Sequence, residues 1–139
     1  MNLQKKNAFT LTEIMVVLVI IAIIAGLAVP GYFRTVEQSR SNEALSNLNI
    51  IHMGEKIYRL NSSPQTFWGP GTDVATINAA LNTDMQANYY TTVSVTATPT
   101  TYTAKFTRNA TSGGAGTKWF QYSFTDGDAK PTPTEGGAY

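Results

Sequence analysis

From Ile14 to Val29 every side chain is apolar or absent. The run opens on a single carboxylate, Glu13, and closes at Pro30-Gly31. From Phe9 to Val29 the segment is 21 residues long, and as an α-helix it spans roughly 30 Å, the thickness of a bilayer's hydrocarbon core. Beyond Gly31 the pattern becomes amphipathic. Phe33, Val36, Ala44, Leu48, Ile51 and Tyr58 recur at helical steps or their sums, with Leu45 and Ile57 widening the stripe. On the opposite face Glu37 with Arg40, Arg40 with Glu43, and Glu55 with Arg59 stand three or four apart, as surface charge pairs do. Pro64, after Asn61-Ser62-Ser63, stops the pattern. The spacing therefore predicts one helix from Phe9 to about Leu60, roughly 75–80 Å long.

Residues 62–88 read as a connector. Phe67-Trp68-Gly69-Pro70-Gly71 is turn-rich with two aromatics expected to pack beneath the loop. Thr72 or Asp73 can cap a short helix through about Leu81, carried by Val74, Ile77 and Leu81, and Asn82-Thr83 closes it. The period then shortens to two. Tyr89, Thr91, Val93, Val95 and Ala97 share one face of a first strand; Tyr102, Ala104 and Phe106 share one face of a second; Phe120, Tyr122 and Phe124 share one face of a third. Asn109 to Thr117, with Gly113-Gly114 and Gly116, is the loop before the third, and Asp126-Gly127-Asp128 opens a Pro-rich tail. A three-stranded antiparallel sheet with one apolar face supplies the cover that the helical stripe lacks. The expected fold is α+β: a long N-terminal helix whose hydrophobic half protrudes and whose amphipathic half packs on a small sheet.

At 139 residues, of which about 110 lie outside the apolar segment, there is room for one small core. The formal charge is +1, and Lys5 and Lys6 are two of the ten basic residues, so the rest of the chain stands at −1. That leaves no basic patch for nucleic acid. With no cysteine there is no disulfide framework, thiolate nucleophile or Cys-based zinc site. Lys5 and Lys6 before the apolar run place the N-terminus in the cytoplasm by the positive-inside rule.

Three roles compete for the run. A cleaved secretory signal would end near Gly26-Leu27-Ala28, and a plain anchor fits the length equally well. Neither accounts for Glu13, a carboxylate inside the apolar register that costs roughly 2–3 kcal/mol unless it is paired or reaches the interface.

Ala8-Phe9-Thr10-Leu11-Thr12-Glu13, the apolar run and then Pro30 resemble the N-terminal class III signal of the type IV pilin and type II secretion pseudopilin superfamily. Ala8 stands where that family usually has Gly, and Thr12 where Ile or Val is commoner. The resemblance is strong over about residues 5–60 and weak beyond. It implies a leader of residues 1–8 removed by a prepilin peptidase between Ala8 and Phe9, with N-methylation of Phe9. It implies a hydrophobic assembly helix over residues 9–30 and a soluble pilin-like domain over 31–139. Phe9 and Glu13 would be the subunit-assembly residues, since the new α-amine at Phe9 is largely protonated near neutral pH and a neighbour's Glu13 can meet it in a low-dielectric core. Gly26, Pro30 and Gly31 would be the weak point of the helix. The implied partners are further copies of the chain in a helical homopolymer, the peptidase, an assembly ATPase, an inner-membrane platform protein, and the membrane before assembly. The protein would start as a single-pass inner-membrane chain and end in an extracellular pilus or periplasmic pseudopilus. The expected function is a structural filament subunit. Two alternatives stand beside it: a major pseudopilin of type II secretion, and, in a different class, a monomeric anchored or secreted binding domain using Trp68 and Trp119 as its contact surface.

No enzyme is expected. His52 is the single histidine, predicted on the helix surface, and the nine carboxylates are scattered, four of them on the long helix. No cofactor is expected; Asp126 and Asp128 are weak calcium candidates, by analogy with a C-terminal loop of major pseudopilins. Asn61-Ser62-Ser63 and Asn109-Ala110-Thr111 fit the N-glycosylation pattern.

Overall fold

The computed structural model describes residues 9–108 and 118–137. The leader, Ala8 and the glycine-rich stretch at 109–117 lie outside the described residues. The chain divides into two units, the first closing at Gln38 and the second opening at Ser39. Helix α1, Leu11–Asn61 (51 residues), has residues in both.

In the first unit α1 begins with a reciprocal cap. Thr10, just ahead of the helix, and Glu13, in its first turn, exchange hydrogen bonds. Every side chain from Phe9 to Val29 is exposed. The helix runs without interruption across Gly26, Pro30 and Gly31, and the Thr35 hydroxyl donates back to the Gly31 carbonyl (3.1 Å).

The second unit is α+β. Residues of α1 from Ala44 on face a core shared with helix α2, Val74–Leu81, and with strands β1 (Thr92–Ala97), β2 (Thr101–Thr107), β3 (Trp119–Thr125) and β4 (Thr132–Gly136). The strands form an antiparallel meander in the order β1-β2-β3-β4. The period of two holds across three strands: Val93 and Val95, then Tyr102, Ala104 and Phe106, then Phe120, Tyr122 and Phe124 are all buried. Register puts Val95 opposite Ala104, and Ala104 opposite Tyr122; the small residue in the middle leaves space for the large ones beside it.

Asp73 is the cap of α2. Its carboxylate accepts from the Thr76 amide (2.7 Å), and Asn82 ends the helix in the left-handed conformation, which Asn tolerates better than most residues. Phe67 is buried against Tyr102 and Phe124. Gly54 on α1 is a close approach: a Cβ there would stand 2.9 Å from Leu81 Cβ.

Five expectations change. The tail supplies a fourth strand, β4, which pairs with β3 with Pro133 opposite Tyr122. The position is open to proline because β4 is an edge strand, and β4 is almost wholly exposed, so no hydrophobic alternation marked it. Tyr90 is buried and Tyr89 exposed, the reverse of the expected parity, because the chain bends at residues 88–89 and β1 starts only at Thr92. Phe33 and Ile57 are exposed, outside the stripe assigned to them. For Ile57 the buried face explains it: that face follows Ala44, Leu48, Ile51 and Glu55, and Ile57 lies about 200° around the helix from Glu55.

Glu55 is thus the fourth change. It stands at the centre of the buried face with no exposure at all, and Arg59, its expected surface partner, pairs instead with Asp126. His52 is likewise buried, its Nδ1 lying 2.5 Å from the Tyr102 hydroxyl and its ring 5.1 Å from that of Phe124.

Candidate functional site

The N-terminal turn of α1 carries the candidate assembly site. The Thr10 amide and hydroxyl both donate to Glu13 Oε2, at 3.0 and 3.1 Å, and the Glu13 amide donates to Thr10 Oγ1 at 3.2 Å. This is a capping box: the side chain of each residue satisfies an amide of the other. A carboxylate in the first turn also faces the positive end of the helix dipole. Glu13 is therefore not an unsatisfied acid within its own chain. The signal for the cap, Thr three residues before Glu ahead of an apolar run, stands in the sequence, yet the assembly motif there had absorbed both residues.

Phe9, the expected first mature residue, is exposed, four positions before Glu13. Its expected cleavage partner Ala8 lies outside the described residues. Gly26 and Gly31 have open space around them, where an added Cβ would meet nothing. The site is an apolar helix with a capped acid at its mouth and no cover along its length.

In the second unit, charged side chains of α1 fasten the connectors. Glu43 Oε1 accepts from the Asn88 amide (2.6 Å) and the Tyr89 amide (3.3 Å), Arg40 stacks over the Tyr89 ring, and Asn47 donates to the Gln86 carbonyl (2.8 Å). Glu55 Oε2 accepts from the Trp68 amide (2.9 Å), while Oε1 has no hydrogen-bond partner among the described residues. Burial pushes the Glu55 carboxyl up to about 7 against the opposing pull of that amide. Burial, helped by Lys56, moves His52 the other way, below its ordinary value.

The two groups give opposite slopes. Glu55 holds a proton in the folded state that the unfolded chain releases from about pH 4.5, so its contribution is full at low pH and is lost as pH rises through about 7. His52 costs stability as pH falls below its unfolded value. Glu55→Gln keeps an acceptor for the Trp68 amide and removes one of the two titrations. In urea unfolding of the full chain in detergent micelles, followed by the fluorescence of Trp68 and Trp119, parent stability relative to Glu55→Gln is expected to fall from pH 5 through about pH 7 and to level off by pH 8. Parallel curves would show that Glu55 does not titrate in that window.

The calcium candidates are engaged. Arg59 grips both oxygens of Asp126 and holds that carboxyl below the usual range, chiefly through the hydrogen bond. Asp128 accepts from the Thr125 amide (3.1 Å) in the turn before β4. A cation at this turn would have to displace Arg59. Among the described residues no three acidic or histidine side chains gather as a metal site would. Trp68 and Trp119 are half-buried, the first ring lying where a side chain on Gly71 would go and the second against Gly136 and beneath Lys105. Neither forms an open aromatic surface.

The prokaryotic N-terminal methylation motif matches residues 3–29. The chain is 31% identical over 86 residues to the type II secretion system core protein G of Escherichia coli (strain K12), covering 62% of this chain and 59% of that one. It is 34% identical over 70 residues to the core protein G of Dickeya chrysanthemi, covering 49% and 46%. To the type IV major pilin protein PilA of Myxococcus xanthus (strain DK1622) it is 33% identical over 54 residues, 39% of this chain and 24% of the relative. In each case the match spans less than two thirds of the relative's own length. An N-terminal methylation motif on an uncovered apolar helix, followed by an α+β unit, defines a pilin-like class. The motif and these relatives make the chain similar to the type IV pilin and type II secretion pseudopilin superfamily.

Proposed function

We propose that this chain is the structural subunit of a type IV pilus or pilus-like filament, polymerised through its N-terminal helix. The observation that carries this is the first unit itself: a methylation motif set on a helix whose side chains are all exposed from Phe9 to Val29. Such a surface is stable only in lipid or against other apolar helices. The chain would use both in turn. A prepilin peptidase cuts between Ala8 and Phe9 and methylates Phe9; the helix over residues 9–30 holds the precursor in the inner membrane with its N-terminus in the cytoplasm. An assembly ATPase and platform protein then move it into a polymer of further copies, where neighbouring helices replace lipid. The role is structural rather than catalytic, and the unit beyond residue 31 faces outward on the polymer.

A second version of this role has its own support. Core protein G of type II secretion systems recurs among the relatives and covers more of this chain than the pilin does, which favours a short pseudopilus over a long surface fibre.

Intact-mass measurement with N-terminal sequencing of the purified protein tests the proposal. A chain beginning at methylated Phe9 is expected. A start at Val29 would mark an ordinary secretory signal and a start at Met1 a plain anchor, and either result overturns the filament role.

A further inference from the structure

Between Glu13 and Arg34 lie twenty residues without a charge, Ile14 to Phe33. As a helix they rise about 30 Å, one hydrocarbon thickness. Aromatic side chains are kept to the ends of this stretch. None occurs from Thr10 to Gly31, and then two come together, Tyr32 and Phe33. Both are exposed, at 67% and 65%, and their rings meet edge to face with centroids 6.2 Å apart. No core within the first unit explains them.

Their position does. A tyrosine ring is apolar along its body and polar at its tip, so aromatics of this kind settle where acyl chains give way to headgroups. Arg34 follows directly with a guanidinium suited to phosphate. At the other end the Thr10–Glu13 cap closes the helix with its own polar groups satisfied. Resting on the membrane-anchored precursor described above, we propose that Tyr32 and Phe33, backed by Arg34, form a headgroup-level stop that sets the depth of the unassembled chain in a phospholipid bilayer. The partner is the ester and phosphate layer. Tyr32 donates its hydroxyl to a lipid oxygen, Phe33 fills the boundary with the acyl chains, and Arg34 pairs with phosphate. Because the capped acid and the aromatic stop are one hydrocarbon thickness apart, the helix has one depth at which both ends lie at an interface. Sliding by a turn carries Glu13 or Arg34 into hydrocarbon, where a charge is costly.

The chain contains no cysteine, so single nitroxide labels can be placed without removing anything. In the full chain, reconstituted in phosphatidylcholine–phosphatidylglycerol vesicles, labels at Ile20→Cys and Thr35→Cys are read by their accessibility to oxygen and to a water-soluble nickel chelate. The Ile20 label is expected within the hydrocarbon in every background. The Thr35 label is expected at the phosphates in the parent and in Tyr32→Trp, and is expected to sink by about 5 Å, one helical turn, in Tyr32→Ala/Phe33→Ala. An unmoved Thr35 label in the double variant, with the Ile20 label still in hydrocarbon, overturns the stop and leaves the membrane span intact. An Ile20 label in water overturns the span and the stop with it.

Discussion

Cells making only Glu13→Ala are expected to process and methylate the chain normally yet to yield at least tenfold less sedimentable filament than the parent. Removing the side chain does two things. It opens the capping box with Thr10, at a cost of about 1 kcal/mol to the helix terminus, and it removes the carboxylate proposed to meet a neighbour's Phe9 amine. Glu13→Gln separates them, since Gln at this position still closes a capping box but carries no charge. If register comes from attraction between the carboxylate and the amine, Gln should assemble as poorly as Ala; a tenfold loss corresponds to about 1.4 kcal/mol, the scale of one such pair in a partly dry environment. Filaments of normal yield from Glu13→Gln would show that the cap matters and the charge does not. In the isolated chain Glu13 is already hydrogen-bonded to Thr10, so the proposed pairing with a neighbour's amine would exchange one partner for another rather than rescue a bare charge.

Tyr102→Ala is expected to destabilise the second unit by about 3–5 kcal/mol, as truncation of a fully enclosed aromatic does. On β2 Tyr102 contacts the rings of Phe67, Phe124 and His52 and places its hydroxyl on His52 Nδ1. One side chain thus joins the sheet, α1 and the connector. Tyr102→Phe keeps the ring and leaves His52 Nδ1 without that hydroxyl, for an expected loss of about 1–3 kcal/mol. Urea unfolding followed by near-ultraviolet circular dichroism measures both, and equal losses in the two variants would mean that the hydroxyl, not the packing, carries the effect. A destabilised second unit should leave cleavage at Phe9 untouched, since the proposed cleavage residues belong to the first.

Elements that obey a simple period were legible in the sequence. The long helix, Asp73 as a cap, Asn82 as its end, and three strands with Val95, Ala104 and Tyr122 facing one way follow from spacing and turn chemistry alone. For two buried residues of the long helix, residue chemistry was weighed above position. Glu55 continues the series Ala44, Leu48, Ile51 at helical steps and so belongs inside, yet its charge assigned it to water. His52 went the same way. β4 escaped for the opposite reason, because Thr132-Pro133-Thr134-Glu135 has no hydrophobic period and is held by pairing with β3 rather than by burial. The candidate site is local in sequence where the domain is not. Phe9, Glu13 and the apolar run form a contiguous stretch whose placement needs no tertiary contact, whereas the contacts of Glu43, Glu55 and Arg59 each join residues distant in sequence.

The two margins of the sheet bear on how copies of this chain meet. On one side Gly71 exchanges backbone hydrogen bonds with Val95 (2.9 and 2.7 Å), so the chain's own connector occupies part of the outer rim of β1. On the other, Pro133 lies within β4 and Pro131 just before it, and the amide donors they lack fall on the same side of the chain. A subunit stored side by side with its copies at high local concentration is a hazard if its strands can template one another. Here the rims offer an incoming strand few donors. In the proposed polymer this would steer association away from cross-strand fusion and leave it to the helix, keeping the polymer separable into its parts.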